Sequence, residues 1–566
     1  MSKNKIPYVI LIAATLIFIF GVSMFLKLHG TPQRFPAEPW SVFCAIRFHY
    51  LPLFNFGTDA WDNFFKSWFA TSHGINDFIY FYLVTGIYDF FKIPLSEANF
   101  YYALYFLGTL YLLLMISLGK SVFNLETGCL AAIVLSVSYH GLYSTHCLNH
   151  RMTTLFLQLL LFMSAFFYLK DKKSLLRRIF FSVMLCVSAS MELFLFLPLV
   201  LFLEIMWHFH YESNANWKTA IKDLLRLRHL VLWIPAFLSF FTICYIWMRF
   251  RASNLGMFAY SSRAFPFSLA NFSGFLNLTK FIKKADANIF ITATLLFIAM
   301  FLVLLLFRRI RWHNPIFFFI LAFLLVTFTN ISTNRWKFYS ANVSMGMITA
   351  YGFTTLFHFF RKKIKFVALI GCLAVVYIAG VVVLKGAKEY FEFEQLRYKT
   401  VKAYFSLPSL KAVGYYIREY GEPESTVFNL FYNNVYFDHS EYYYGKYVVY
   451  DNIYPKKNFS LVFYSPAEAK KKRSLKKDFD FYVTLKGYDK YKKVVGERFL
   501  SDYRKVADVY DQEEWLASIY SANPSYPYLR MEISEYNRLW DEKYANLEHI
   551  FEHGRFGIGS LIGHKE

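Results

Sequence analysis

The stretch IFFSVMLCVSASMELFLFLPLVLFLEIMW, residues 179 to 207, decides how this chain folds. A bilayer core about 30 Å thick takes about 20 residues of helix, so the run is too long for one upright crossing. It also carries Glu192 and Pro198 near its middle. A carboxylate is costly in hydrocarbon and a proline interrupts the backbone ladder, so two short helices meeting at Glu192 are expected.

Other apolar runs lie on both sides of it, near 7 to 26, 99 to 118, 127 to 143, 152 to 169, 229 to 248, 288 to 307, 315 to 330, 342 to 359 and 366 to 385. With the split, about 11 transmembrane helices are expected. The charges test this count, because Lys and Arg should gather on one side. KDKKSLLRR (170 to 178), the stretch from Lys218 to Arg228, RRIR (308 to 311) and RKKIK (361 to 365) all fall on the side of Lys3 and Lys5 only if the run is split. The N-terminus is then cytoplasmic, and Ile6 to Phe25 is a retained first helix rather than a cleaved signal.

Composition agrees. The 566 residues have a mean hydropathy of +0.32, too apolar for an ordinary soluble chain, and 21% are aromatic, which suits interfaces and clefts. The net charge of +22 comes largely from basic runs beside apolar spans, so it speaks for loop retention and not for nucleic acid. Six cysteines include no CxxC pair. Asn271, Asn277, Asn330, Asn342 and Asn458 head Asn-x-Ser/Thr tripeptides, a pattern common enough by chance that no compartment is read from it.

The loops opposite the basic side are unequal. The first, about 27 to 98, is far longer than a connector needs and contains IYFYLVTGIYDFF (79 to 91), which reads as a helix lying in the interface. After Lys385 the composition turns to Tyr, Lys, Asp and Glu. Strand-like runs follow at STVFNLFY (425 to 432), KYVVYD (446 to 451), SLVFYS (460 to 465) and FDFYVTL (479 to 485), with a helix at KAVGYYIREYG (411 to 421). The chain therefore reads as a polytopic α-helical membrane domain, 1–385, followed by an exoplasmic α/β domain, 386–566.

In FNFGTDAWDNFFKSW (54 to 68), Asp59 and Asp62 stand three apart among aromatics, so on a helix both carboxylates face one way. Desolvation there would raise a carboxyl toward a value suited to accepting a proton from a hydroxyl. Two acids solvating a loop, or one capping a helix, would look the same.

The run from GTDAWDNFFKSW through the span ending at GK (119 to 120) resembles the opening of the polyprenyl-phosphate-sugar-dependent GT-C glycosyltransferases, which include protein O-mannosyltransferases and aminoarabinose transferases. The segment LSVSYHGLYSTHCLNHRMTTLFLQLLLF (135 to 162) is similar to that family's Tyr-Ser and Arg-Met-Tyr pattern at Tyr143, Ser144, Arg151 and Met152. It departs at Asn149, at Thr153 and by about three extra residues. NISTNRWKFYSANVSMGMITAYGF (330 to 353) resembles the family's basic-aromatic loop through Arg335, Lys337 and Tyr339, with Ser340 in place of Pro.

The resemblance implies a lipid-linked sugar donor, an exoplasmic glycan, lipid or protein acceptor, and a bacterial inner membrane. It implies Asp59, with Asp62, as the base, and Arg151, Arg335, Lys337 and Tyr339 at the donor phosphate; Arg249, Arg251 and Arg263 are second choices. Arginine suits a phosphate because its fork binds two oxygens. Glu192 is a site candidate by its place in the membrane. His146 and His150, four apart, could share a helix face toward a divalent metal, the one cofactor the sequence leaves open. A transporter or flippase of lipid-linked sugars is the other reading, and matching inverted halves would favour it. A glycan polymerase or ligase would lack the acidic first-loop motif.

Overall fold

A computed structural model describes residues 6–29, 91–92, 97–138, 151–189, 196–211, 216–252, 289–330, 341–363, 365–405, 409–422, 425, 427–430, 448–449, 480–485 and 503–544. The protein is mostly helical with one small sheet. Its helices are α1 (Ile6–His29), α2 (Glu97–Val122), α3 (Leu125–Val137), α4 (Arg151–Lys170), α5 (Leu175–Ala189), α6 (Leu197–Tyr211), the short α7 (Trp217–Leu224), α8 (Leu227–Ala252), α9 (Ile289–Leu306), α10 (Ile316–Asn330), α11 (Asn342–Arg361) and α12 (Lys365–Phe405). The run 179 to 207 is divided as expected, between α5 and α6. Glu192 itself lies outside the described residues. Among the described residues two helical stretches are long and apolar enough to cross a membrane by length and composition, Ile289–Leu306 and Lys365–Lys388; shorter apolar runs occur in α1, α2, α3, α4, α6, α8 and α10.

Side-chain contacts fix the helix directions. Gly119 near the end of α2 meets Gly128 near the start of α3, so the two form a tight antiparallel hairpin. Thr127 and Thr354 share a hydroxyl hydrogen bond at 2.9 Å, while Leu135 packs on Gly346, so α11 runs antiparallel to α3. Thr294 and Thr349 bond at 3.0 Å and Phe297 lies on Gly352, so α9 runs beside α11 in the same direction. Phe360 lies against Gly371 and Phe290 against Gly386, which turns α12 back along both. In a membrane such contacts matter because glycine lets backbones approach and each interhelical hydroxyl bond contributes only about 0.6 kcal/mol.

The turns so defined converge. Lys170 Nζ donates to the Ser121 carbonyl, joining the α4 end to the α2–α3 turn. Phe123 in that turn stacks on Tyr351 at 4.1 Å and approaches Phe319 of α10 at 6.1 Å. Tyr168 stacks on Phe181 across the α4–α5 turn at 4.9 Å, and Phe209 of α6 meets Trp312 of the α9–α10 turn at 5.2 Å. All four long basic stretches between the helices thus belong to one end of the bundle, here termed the basic end. One of these cations also caps a helix: Arg177 donates to the Phe167 carbonyl in the last turn of α4 at 3.2 Å, where the helix dipole favours positive charge, while Arg178 donates at 2.9 Å to the Lys173 carbonyl in the turn that follows.

α12 continues past residue 385 without interruption to Phe405. The sheet part beyond it comprises α13 (Leu410–Tyr420), β1 (Val427–Leu430), β2 (Val448–Val449), β3 (Phe481–Leu485), β4 (Arg504–Asp511), β5 (Glu514–Ser521), β6 (Leu529–Glu532) and α14 (Ile533–Tyr544). The strand order is β2-β1-β3-β5-β4-β6, with β1 parallel to β2 and β3, β5 antiparallel to β3 and β4, and β6 parallel to β4. The expected runs at 425 to 432, 446 to 451 and 479 to 485 hold β1, β2 and β3, and the expected helix is α13, ending at Gly421. The run at 460 to 465 and most of the expected interfacial helix at 79 to 91 lie outside the described residues. The hairpin β4–β5, β6 and α14 were not anticipated. β4 buries Asp508, which accepts from Ser518 Oγ and, at 2.9 Å, from Tyr528 OH, with Lys505 Nζ at 3.3 Å.

α14 docks on α13 through a buried Trp540 and a polar edge. Lys411 Nζ is 2.6 Å from Asp541, and Glu419 accepts from Lys543 Nζ and Tyr544 OH. Burial alone would raise the Glu419 carboxyl, but those two bonds and the Lys543 charge outweigh it, so its pKa sits below the ordinary 4.5. A depressed carboxyl contributes stability above its unfolded value and loses it as pH falls through the folded one. Amide exchange in 533–544, corrected for intrinsic rate, should therefore speed up as pH drops below about 4.5. Glu419→Gln should exchange faster at pH 7 and lack the acid step. An acid step retained in that variant would assign it to another group.

Candidate functional site

The helix ends that flank the sequence-derived candidates lie at the end opposite the basic one. α3 arrives there and stops at Val137, Ser138 closing it with an N–H bond to the Val134 carbonyl at 3.0 Å. α4 starts from the same end at Arg151, its first residue. α11 starts there at Asn342, directly after the 331–340 segment. α2 also begins at this end. α8 leaves Trp233, which packs edge-on to Phe181 at 6.4 Å near the basic end, and carries Arg249 and Arg251 in its final turn away from that end.

Of the proposed site residues, the backbones of Arg151, Arg249 and Arg251 are described, and each sits at a helix terminus. Asp59, Asp62, Arg263, Arg335, Lys337, Tyr339, Glu192, His146 and His150 lie outside the described residues, as do Tyr143 and Ser144. The described helix ends that flank them, α2, α3, α4, α5, α6, α9 and α11, are the ends away from the basic stretches. Among the described residues no three His, Cys, Asp or Glu side chains gather as a metal would need.

What the sequence did not flag is a set of buried polar groups beneath this end. Asn342, the first residue of α11, is 0% exposed, and neither its Oδ1 nor its Nδ2 has a hydrogen-bond partner among the described residues. Ser344 Oγ, two residues on and turned to the other side of α11, and the Tyr111 hydroxyl on α2 are equally buried and equally unmatched among the described residues. Register puts them close in height: Gly346 touches Leu135, and Tyr111 precedes Gly119 by as many residues as Ser136 follows Gly128. Each unmatched buried amide or hydroxyl costs about 1–3 kcal/mol, so they are not what a plain packing core would hold. Ala341, ahead of α11, supplies no side-chain cap, which leaves first-turn N–H groups facing the same region.

A second polar set lies nearer the basic end. Glu204 of α6, 4% exposed, accepts from Trp233 Nε1 at 3.3 Å, and His208, one turn on, bonds Thr219 of α7 at 3.3 Å. These ties hold α6 to α7 and α8. Their spacing four apart on an apolar helix was the available signal, masked by the length of the run they end.

No protein-family model matches the sequence, and no curated protein matches it. Several solved structures are similar to the chain. ArnT from Cupriavidus metallidurans bound to undecaprenyl phosphate is 10% identical over 92% of this chain and 99% of that one, with a TM-score of 0.44. The Archaeoglobus fulgidus oligosaccharyltransferase complex with Zn and sulfate is 12% identical over 85% and 72%, with a TM-score of 0.44. The archaeal oligosaccharyltransferase AglB from Archaeoglobus fulgidus, in complex with an inhibitory peptide and a dolichol-phosphate, is 12% identical over 86% and 74%, with a TM-score of 0.45.

Proposed function

We propose that the protein is an inverting, membrane-embedded glycosyltransferase that moves a sugar from a polyprenyl-phosphate carrier to an exoplasmic acceptor. The observation that supports this most is the shared placement of the flanking helix ends. The starts of α2, α4 and α11 belong to one end of the bundle, and these are the entry points of the three motif-bearing segments. By the distribution of Lys and Arg, that end faces away from the cytoplasm.

In this reading an acceptor hydroxyl oxygen attacks the anomeric carbon while Asp59 takes its proton and Asp62 orients Asp59. The bond from that carbon to the phosphate oxygen breaks, and the electron pair leaves with the polyprenyl phosphate. Arg151, Arg335, Lys337 and Tyr339 stabilise the departing charge. A phosphate needs no proton to leave, so a second, acidic carboxyl is unnecessary. One displacement inverts the anomeric centre.

The leaving-group assignment is tested by sugar transfer from polyprenyl-phosphate hexoses in membranes. Arg335→Ala should lower transfer about a hundredfold, and Arg335→Lys should recover part of it, since a point charge replaces the fork only partly. Unchanged transfer in Arg335→Ala would remove Arg335 from the phosphate site.

A further inference from the structure

α7 differs from the helices around it. It is eight residues long and lies in a stretch that sets Lys218, Lys222, Arg226 and Arg228 against Asp223 alone. One side of it is pinned. Asn216 Oδ1 accepts from the Thr219 N–H at 2.8 Å, and the Thr219 hydroxyl bonds the His208 ring of α6 at 3.3 Å. Helical spacing sets two exposed rows side by side next to that anchor. Lys218 and Lys222 form one row; Ile221, 50% exposed, and Leu225, 65% exposed, form the other, with the Leu225 N–H still bonded to the Ile221 carbonyl at 2.9 Å. Neither lysine makes an ion pair among the described residues. Exposed apolar side chains in register with exposed cations suit a boundary with acyl chains on one side and phosphate headgroups on the other. A depth marker stands beside it. Phe209, next to His208 on α6, meets Trp312, in the turn that carries the exposed Arg308, Arg309 and Arg311. Tryptophan among arginines belongs at headgroup level, and α6 holds α7 at the same height.

We propose that α7 is an in-plane helix that binds anionic phospholipid at the basic end, with Lys218 and Lys222 on the headgroup phosphates and Ile221 and Leu225 among the acyl chains. This rests on the membrane-embedded part of the reading above and not on sugar transfer. A zwitterionic headgroup also presents a phosphate, but its ammonium offsets the charge, so the lysine row distinguishes the two.

The test is native mass spectrometry of the purified full-length protein in detergent, titrated with phosphatidylglycerol or with phosphatidylcholine. The wild type should hold phosphatidylglycerol more tightly. Lys218→Gln/Lys222→Gln should keep the lipid-free melting temperature, since both side chains are exposed. It should weaken phosphatidylglycerol about tenfold or more and phosphatidylcholine less than about twofold, while Lys218→Arg/Lys222→Arg keeps the preference. Ile221→Ser/Leu225→Ser retains the charge and should weaken both lipids. Lys362→Gln/Lys365→Gln, which removes exposed cations of the same end at the α11–α12 turn, is the control and should bind both lipids like the wild type.

Phosphatidylglycerol affinity unchanged in Lys218→Gln/Lys222→Gln would overturn the inference. An equal loss in the Lys362→Gln/Lys365→Gln control would overturn it too, by assigning the effect to the charge of the whole end. Displacement of the lipid by excess inorganic phosphate would make the lysine row a soluble-anion site, against the proposal. If the wild type binds both lipids alike, this inference fails alone; if it binds neither, the membrane reading fails with it.

Discussion

Replacing Asp59 with Asn should lower kcat/KM for sugar transfer by about a hundred- to ten-thousandfold while the protein reaches the membrane in normal amounts. Asparagine keeps the shape and one acceptor oxygen of aspartate but cannot take a proton at neutral pH. The substitution therefore leaves acceptor positioning nearly intact and removes the base. The loss should fall on kcat, with the carrier bound as before. Asp62→Asn should cost less, about tenfold, because the second carboxylate only orients the first and raises its basicity. Acceptors of lower hydroxyl pKa should recover part of the Asp59→Asn loss. Transfer undiminished in Asp59→Asn would remove this residue from the reaction.

The second large effect concerns the scaffold. A Cβ built on Gly119 would lie 2.3 Å from Gly128 Cα, and one on Gly128 would lie 2.4 Å from the Ile116 carbonyl oxygen. Both obstacles are backbone, so no rotamer change relieves them, and even a methyl group must push α2 and α3 apart. That hairpin supports Thr127–Thr354 and Leu135–Gly346, the contacts that seat α11. Gly128→Val should destabilise the fold by about 3 kcal/mol or more, beyond usual overpacking, and should largely eliminate monodisperse protein after detergent extraction. Gly21→Ala and Gly380→Ala are the controls. Among the described residues nothing lies within 4 Å of a Cβ at either position, so both should extract like the wild type. Equal behaviour of Gly128→Val and the controls would contradict the described helix contact.

The helices α1 to α12 were legible because long apolar runs bounded by basic residues are read directly from the sequence. Apolar length, and Lys or Arg at alternate ends, brought most helix ends within a few residues of their observed positions. Splitting 179 to 207 rests on its length and on Glu192 and Pro198, and the charge alternation supports it, because an unsplit run would reverse every later loop. The sheet was legible where strands are mostly apolar, as in β1, β2 and β3. β4 and β5 hide their period because Asp508 and Ser518 stand at buried positions and satisfy one another across the strands. α14 escaped because among its residues only Ile533 and Trp540 are buried. Asn342 figured in the sequence only as the head of Asn-Val-Ser. That it is buried without a partner depends on α3, α9 and α11 packing together, which no local pattern encodes.

Mass spectrometry of the lipids that copurify with the wild type and with Asp59→Asn tests the central claim most directly. The account predicts an isoprenoid phosphate in both, with the sugar-loaded form enriched in the variant because transfer is blocked while donor binding is kept. Preparations that carry only ordinary phospholipids, in the wild type and the variant alike, would contradict it.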